Sequence, residues 1–354
     1  MEHFYRRNTR IVKIGTVVIG GSNPIAVQSM TKTPTVDTAA TLAQIKRLQE
    51  AGCEIVRVAV PNQAAVRALE RICAESRLPV VADIHFREEL AVAAIKAGCA
   101  KVRVNPANLS ENGFLRVVDF AGERGIPLRI GLNSGSLPPE RLQRSGGEPA
   151  EALVALGERF VSAAQERGFA DIVLSFKSSD PLTTLRAYRH AAEIFPYPLH
   201  LGLTEAGDPE YGFVKSAAVL GGLLLEGIGD TLRISLVGDP AREVEAAYRL
   251  LKATGRRVLE PEIIACPGCA RSEIDLPQLV GIVKEATAGM SSPIKIAVCG
   301  CVVNGPGEAR QADLGVTAAK GQAIIFRRGK VIRKVEKKDL ASALREEIAR
   351  LQVP

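Results

Sequence analysis

Between residues 25 and 238 a short apolar run recurs eight times, and a segment of helical pattern follows each one. The runs are IAVQSM from Ile25, IVRVAV from Ile55, VVADIHF from Val80, KVRVNP from Lys101, LRIGLN from Leu128, DIVLSFKS from Asp171, LHLGLT from Leu199 and TLRISLVG from Thr231. The intervening segments are rich in Ala, Leu, Glu, Arg and Gln with apolar residues at helical spacing, as over 41–51 and 64–75. Strands that alternate with helices pair in parallel, and eight such units predict a TIM (β/α)8 barrel. A weak internal repeat agrees: AGCEIVRVAVPN from Ala51 resembles AGCAKVRVNPAN from Ala97, each glycine standing where a helix would stop before a strand. Residues 10–21 alternate around a glycine break, which predicts a small hairpin closing the barrel floor.

Parallel strands covered by helices are hidden on both faces, so a polar residue at every second position must face the lumen. By that alternation Arg57, Asp83 with His85, Arg103 with Asn105, Arg129 with Asn133, Ser175 with Lys177, His200 with Thr204, and Arg233 with Ser235 point inward. Glu205 follows at the mouth. Any one of these reads equally well as a structural ion pair or rim charge. The set does not, because burying so many cations without a ligand costs on the order of several kcal/mol each. An anion is expected. Guanidinium binds phosphate bidentately and ammonium as a point charge, so Arg57, Arg103, Arg129, Lys177 and Arg233 describe a diphosphate clamp at the end where barrel enzymes keep their chemistry.

Past residue 255 the pattern changes. GRRVLEPEII is a charged, Pro-interrupted linker; a helix is expected over 275–288, then a strand IKIAVCG, two strands over 322–326 and 330–335, and an amphipathic helix from Lys338. The expected division is a barrel domain over 1–258 and an α/β domain over 259–354, the latter short of core and stabilised by metal. Its cysteines supply the site. Cys266-Pro-Gly-Cys269 is followed by Cys299-Gly-Cys301, which runs into Val-Val-Asn-Gly-Pro-Gly-Glu308. A C-x-x-C puts two thiolates on one turn within reach of one metal centre, and a distant cysteine beside a Gly/Pro-rich loop can close the site. Four cysteines suit a structural zinc; Glu308 offers instead a hard, weakly held oxygen to an iron, a site that can open.

CPGCAR followed by GCVVNGPGEAR resembles the iron–sulfur domain of the 4-hydroxy-3-methylbut-2-enyl diphosphate synthase family of isoprenoid biosynthesis. The barrel motifs VQSM, VRVAVP, ADIHF, VRVNPAN, RIGLNSGSL, SFKSSD, HLGLTEAG and GIGDTLRISL resemble the same family, in its compact two-domain bacterial form. The resemblance implies a [4Fe-4S] cluster held by Cys266, Cys269, Cys301 and Glu308, with Cys299 outside the ligand set. It implies reductive ring opening of 2-C-methyl-D-erythritol 2,4-cyclodiphosphate with loss of water. Glu205 is then the candidate proton donor, Asp83 and His85 candidates to orient substrate hydroxyls, and Asn105, Asn133, His200 and Ser235 candidate substrate contacts. Electrons would come from a ferredoxin or flavodoxin, because no G-x-G-x-x-G follows a strand.

A head-to-tail homodimer is expected as well. The eighth helix, over 240–254, delivers the chain to the barrel floor, and a linker over 255–264 reaches at most about 35 Å. That is barely enough to climb to its own mouth, whereas a two-fold partner's mouth is accessible.

Net charge is +7 and favours acidic partners, but there is no Trp and only 4% of residues are aromatic, which argues against stacking on nucleic acid. MEHFYRRNTR carries charge where a signal peptide needs an apolar run, and no segment stays apolar long enough to span a bilayer. A cytoplasmic enzyme is expected. Two alternatives share these features: a pterin- or anion-binding barrel with a structural zinc domain, and a basic zinc-ribbon RNA-binding protein.

Overall fold

The computed structural model describes residues 5–270, 272, 274–300, 310–319 and 322–352, and the chain divides into two units, Met1–Arg257 and Val258–Pro354. The first begins with a hairpin, β1 (Val12–Ile14) and β2 (Val17–Ile19), turned at Gly15, whose φ of 57° is left-handed. Eight parallel strands follow: β3 (Ala26–Met30), β4 (Ile55–Ala59), β5 (Val80–Ile84), β6 (Lys101–Val104), β7 (Leu128–Asn133), β8 (Ile172–Lys177), β9 (His200–Leu201) and β10 (Thr231–Leu232). They lie in the order β8-β7-β6-β5-β4-β3-β10-β9, and a parallel bridge between Leu174 and Leu199 joins the two ends into a barrel. The (β/α)8 expectation holds. β9 and β10 are shorter than the runs LHLGLT and TLRISLVG: past Leu201 and Leu232 the pairing continues only as single bonds, Arg233 N–H to Leu201 O and Thr204 N–H to Ser178 O.

Alternation sorts each strand as expected. Val56, Val58, Ala82, Ile84, Val102, Val104, Ile130 and Leu174 face outward into a core shared with the helices. On the inner face, the lowest residues Ala26, Ile55, Val81 and Val173 meet Val12, Ile14 and Ile19 of the hairpin, which plugs the floor. Helices after β8, β9 and β10 open on Asp180-Pro181, Asp208-Pro209 and Asp239-Pro240; each aspartate accepts first-turn N–H bonds and each proline sits where no N–H is needed. The chain leaves at the floor. There Arg257 donates to Ile25 O and to the Glu54 carboxylate, at 3.1 and 2.7 Å.

The second unit is a sheet in chain order, β11 (Glu262–Ala265), β12 (Lys295–Val298), β13 (Leu314–Ala319), β14 (Gln322–Arg327) and β15 (Lys330–Glu336), parallel across the first three and antiparallel after. Leu279 and Val283 of the helix Leu276–Thr287 and Leu344 and Ile348 of the helix Leu340–Gln352 cover Ile296, Val298, Leu314, Val316 and Ile325. Two expectations are corrected. The supposed linker ends early, because EIIA is a strand paired to β12; and β13, with the low-propensity sequence LGVTAA, was not expected as a strand and is held by neighbours on both sides.

Candidate active site

The barrel's inner face carries more positive charge than it balances. Asp83 is the hub: Arg103 donates to it at 3.0 Å, Arg57 approaches to 3.8 Å and His85 to 3.5 Å. Burial pushes its carboxyl up, but Arg57, His85 and Arg103 together outweigh that and hold it well below the usual range. Arg103 also donates to Gly131 O at 3.1 Å, and a Cβ on Gly131 would stand 2.5 Å from the guanidinium, so only glycine admits it. In the same way a Cβ on Gly202 would stand 2.5 Å from Lys177 Nζ. Neither glycine is needed for a turn; both make room for a cation.

Arg129 and Lys177, 1% and 5% exposed, have no such balance. The Nε and Nη1 of Arg129 have no hydrogen-bond partner among the described residues. Burial, reinforced by the surrounding cations, drives both groups well below their ordinary pKa, and burial brings Arg57 down to about 10. His200 is wholly enclosed, one ring nitrogen on Thr231 and the other without a partner among the described residues, and burial among these cations keeps it neutral. Asn105 donates to Ser136 Oγ at 2.8 Å; Ser175 is buried, and Asn133 at the end of β7 and Thr204 and Ser235, just past β9 and β10, are half-buried. Glu205 is exposed with φ at 51°, a left-handed backbone that a non-glycine residue adopts only at a cost.

Arg233 differs from the clamp expectation. It is tied bidentately, at 2.9 Å on both sides, to Glu243, a 1% exposed carboxylate that also takes Ser29 Oγ at 2.9 Å and Lys32 at 3.2 Å. Its charge is already matched. Sequence reasoning missed Glu243, although it stands in register with Ala247 and Leu250 on the apolar face of the helix Pro240–Ala253, where a lone acid signals a buried partner. It also missed the lower lumen residues Gln28 and Lys101, which the same alternation would have found.

In the second unit Cys266 is half-buried and Cys269 exposed on the turn after β11, with Gly268 at φ 86° donating its N–H to Cys266 Sγ at 3.4 Å. Gly300 backs onto this turn, since a Cβ there would lie 3.5 Å from Cys266 Sγ. Two soft thiols on one turn, one already accepting an N–H, suit an iron–sulfur group. Cys299 is buried beside Ala297 and Ala312. Cys301 and Glu308 lie outside the described residues.

Family models match both units: the GcpE TIM-barrel domain over residues 9–248 and the GcpE protein C-terminal domain over 262–350. The chain belongs to the GcpE family. A 4-hydroxy-3-methylbut-2-en-1-yl diphosphate synthase (flavodoxin) of Bacillus cytotoxicus is 48% identical over 98% of this chain and 95% of its own length. A Bacillus cereus enzyme of the same name is 47% identical over 98% and 94%. Among solved structures, Yersinia pestis dihydropteroate synthase aligns at TM-score 0.52 with 14% identity, over 69% of this chain and 98% of that one. That likeness speaks to the barrel fold alone. Among the described residues of this GcpE protein, no helix is long and apolar enough to cross a membrane.

Proposed function

We propose that this chain is a 4-hydroxy-3-methylbut-2-en-1-yl diphosphate synthase that reductively opens 2-C-methyl-D-erythritol 2,4-cyclodiphosphate, with a [4Fe-4S] cluster and electrons from a flavodoxin-class carrier. Family membership over both units supports the reading, and one observation carries the site: enclosed guanidinium N–H groups of Arg129 that nothing in the barrel satisfies. A buried donor left unmade costs about 1–3 kcal/mol, and a phosphate oxygen is the partner that would satisfy it. Arg129 and Lys177 bind the diphosphate, with Arg57 and Arg103 placed by Asp83 to complete its contacts. His85 and Asn105 face the carbon chain, and Asn133, Thr204 and Ser235 line the rim above it. Arg233, held by Glu243, shapes the wall rather than supplying a free charge. Glu205, held at the mouth in a strained backbone, delivers the proton to the departing hydroxyl.

Cys266, Cys269, Cys301 and Glu308 would hold the cluster, which would supply single electrons and Lewis acidity to the reaction. The Gly268 N–H directed at Cys266 Sγ supports the sulfur of that ligand with a hydrogen bond. A head-to-tail homodimer completes the reading, with each cluster domain serving the partner's barrel. Its support is the chain's exit at the floor beside Arg257, followed after only a few residues by β11.

Anaerobic protein with reconstituted iron and sulfide, reduced flavodoxin and the cyclic diphosphate should release the open-chain diphosphate, seen by mass spectrometry; no product with an intact cluster would defeat the assignment. For the dimer, Arg57→Ala and Cys301→Ser chains co-expressed should regain a substantial fraction of activity. Mixed dimers that stay inactive would place the site within one chain.

A further inference from the structure

Beneath the clamp lies a cation that the reading above does not use. Lys101 is the first residue of β6 and sits two residues below Arg103 on the same inner face, level with Val81 of the floor cluster. It is 0% exposed, and its Nζ has no hydrogen-bond partner among the described residues. The charged groups it feels are Arg129 of β7 and Arg57 of β4, and no carboxylate counts among them. His200 of β9 feels it in turn, and neither its Nε2 nor either end of the Gln28 amide of β3 has a partner among the described residues. An ammonium here would be a buried charge with no partner among the described residues, so burial and the neighbouring cations push its pKa well below that of an ordinary lysine.

A charge count says what it is for. Asp83 is shared by Arg103 and Arg57 and Glu243 by Arg233 and Lys32, and Arg129, Lys177 and Lys101 have no carboxylate paired with them among the described residues. In a cyclic diphosphate each phosphorus keeps one ionised oxygen, giving two negative charges. Breaking the ring C–O bond turns one phosphorus into a terminal group, whose further ionisation has a pKa of about 6, so the product carries a third charge near neutral pH and above. We propose that Lys101 is the charge-compensating residue of the barrel: it takes up a proton as the diphosphate ring opens, answering the one negative charge that the product carries beyond the substrate.

The balance closes. The substrate dianion, two electrons from the one-electron protein carrier and one proton give the product trianion and water; a second solvent proton goes to the Lys101 amine. The inference rests on the proposed function and adds to it a residue that holds product rather than one that binds substrate.

The test is calorimetry on the oxidised holoenzyme, which cannot turn over, titrated at pH 8.5 in buffers of different ionisation enthalpy. Cyclic and open-chain diphosphates are compared in wild type and in Lys101→Met, which keeps the side-chain volume and removes the amine. Wild type should take up about one proton per site more with the open-chain ligand than with the cyclic one. Lys101→Met should lose that difference, bind the open-chain ligand at least 10-fold more weakly, bind the cyclic one within about 3-fold, and melt no lower than wild type. A variant that keeps the extra proton, or a wild type that shows none, overturns the inference while leaving the proposed function intact. Failure of either ligand to bind wild type would instead remove the proposed function. If Lys101→Met and Lys101→Gln both fail to fold, Lys101 is a structural residue and the inference falls.

Discussion

In the barrel, Arg129 and Lys177 are held almost without exposure by rigid strands, and glycines at 131 and 202 clear space for neighbouring cations. In the C-terminal unit, Cys266 and Cys269 sit half-buried and exposed on a turn above a much smaller core. The two regions prepare for their ligands in opposite ways. One stores unbalanced charge in an interior whose packing over-determines it; the other keeps soft donors at a surface turn, where binding energy must do part of the ordering. On the proposed function, the barrel is therefore destabilised by its own site and relieved by ligand, whereas the cluster unit gains from its site only once that site is filled.

The largest effect should come from breaking a balanced pair in the barrel. Glu243→Ala strands Arg233 in the interior and should cost about 3–5 kcal/mol in chemical denaturation. Arg129→Met should do the reverse. With no partner to strand, it should leave ligand-free stability unchanged or higher, yet weaken binding of the cyclic diphosphate by about 1.5–3 kcal/mol, the usual worth of a charged hydrogen bond. A loss of stability comparable to that of Glu243→Ala would mean that Arg129 has a partner in the free protein. In the other unit, Cys266→Ser should abolish bound iron, while Cys299→Ser, whose side chain packs beside Ala297 and Ala312, should keep it. Retention of iron in the first variant and loss in the second would reverse the ligand assignment.

The same contrast explains what could be read in advance. The eight strand runs, the plug hairpin and the inward parity of Arg57 through Lys177 were legible because period-two alternation in a parallel sheet leaves one reading for a polar residue. The partners were not. Nothing along the chain says that Arg233 meets Glu243 whereas Nε and Nη1 of Arg129 find no partner among the described residues, since that depends on which helix residue lies over which strand. Lys101 was passed over because attention to the mouth favours the upper ends of strands. In the C-terminal unit β13 escaped because Gly, Thr and Ala carry little strand preference of their own, and β11 because a proline and charges precede it.

Titration sharpens the comparison by a smaller margin. Lys101 and Lys177 have folded pKa values well below 10.5, so at pH 7–9 the unfolded chain binds more protons than the folded one. Stability of the ligand-free barrel should then rise with pH, by at most about 1.4 kcal/mol per pH unit for each amine. Cys53 and Cys73, pushed up to about 12 by burial, stay protonated when folded and oppose the trend above pH 9.

The central claim, that unbalanced buried charge is the diphosphate site, is tested most directly by the denaturation midpoint of the full-length protein between pH 7 and 9, with and without saturating cyclic diphosphate. Without ligand the midpoint should climb with pH; with ligand it should be raised throughout, and most at pH 7, because the bound dianion favours the protonated Lys177 amine. A ligand-induced shift that is absent, or that is the same at every pH, would contradict the account.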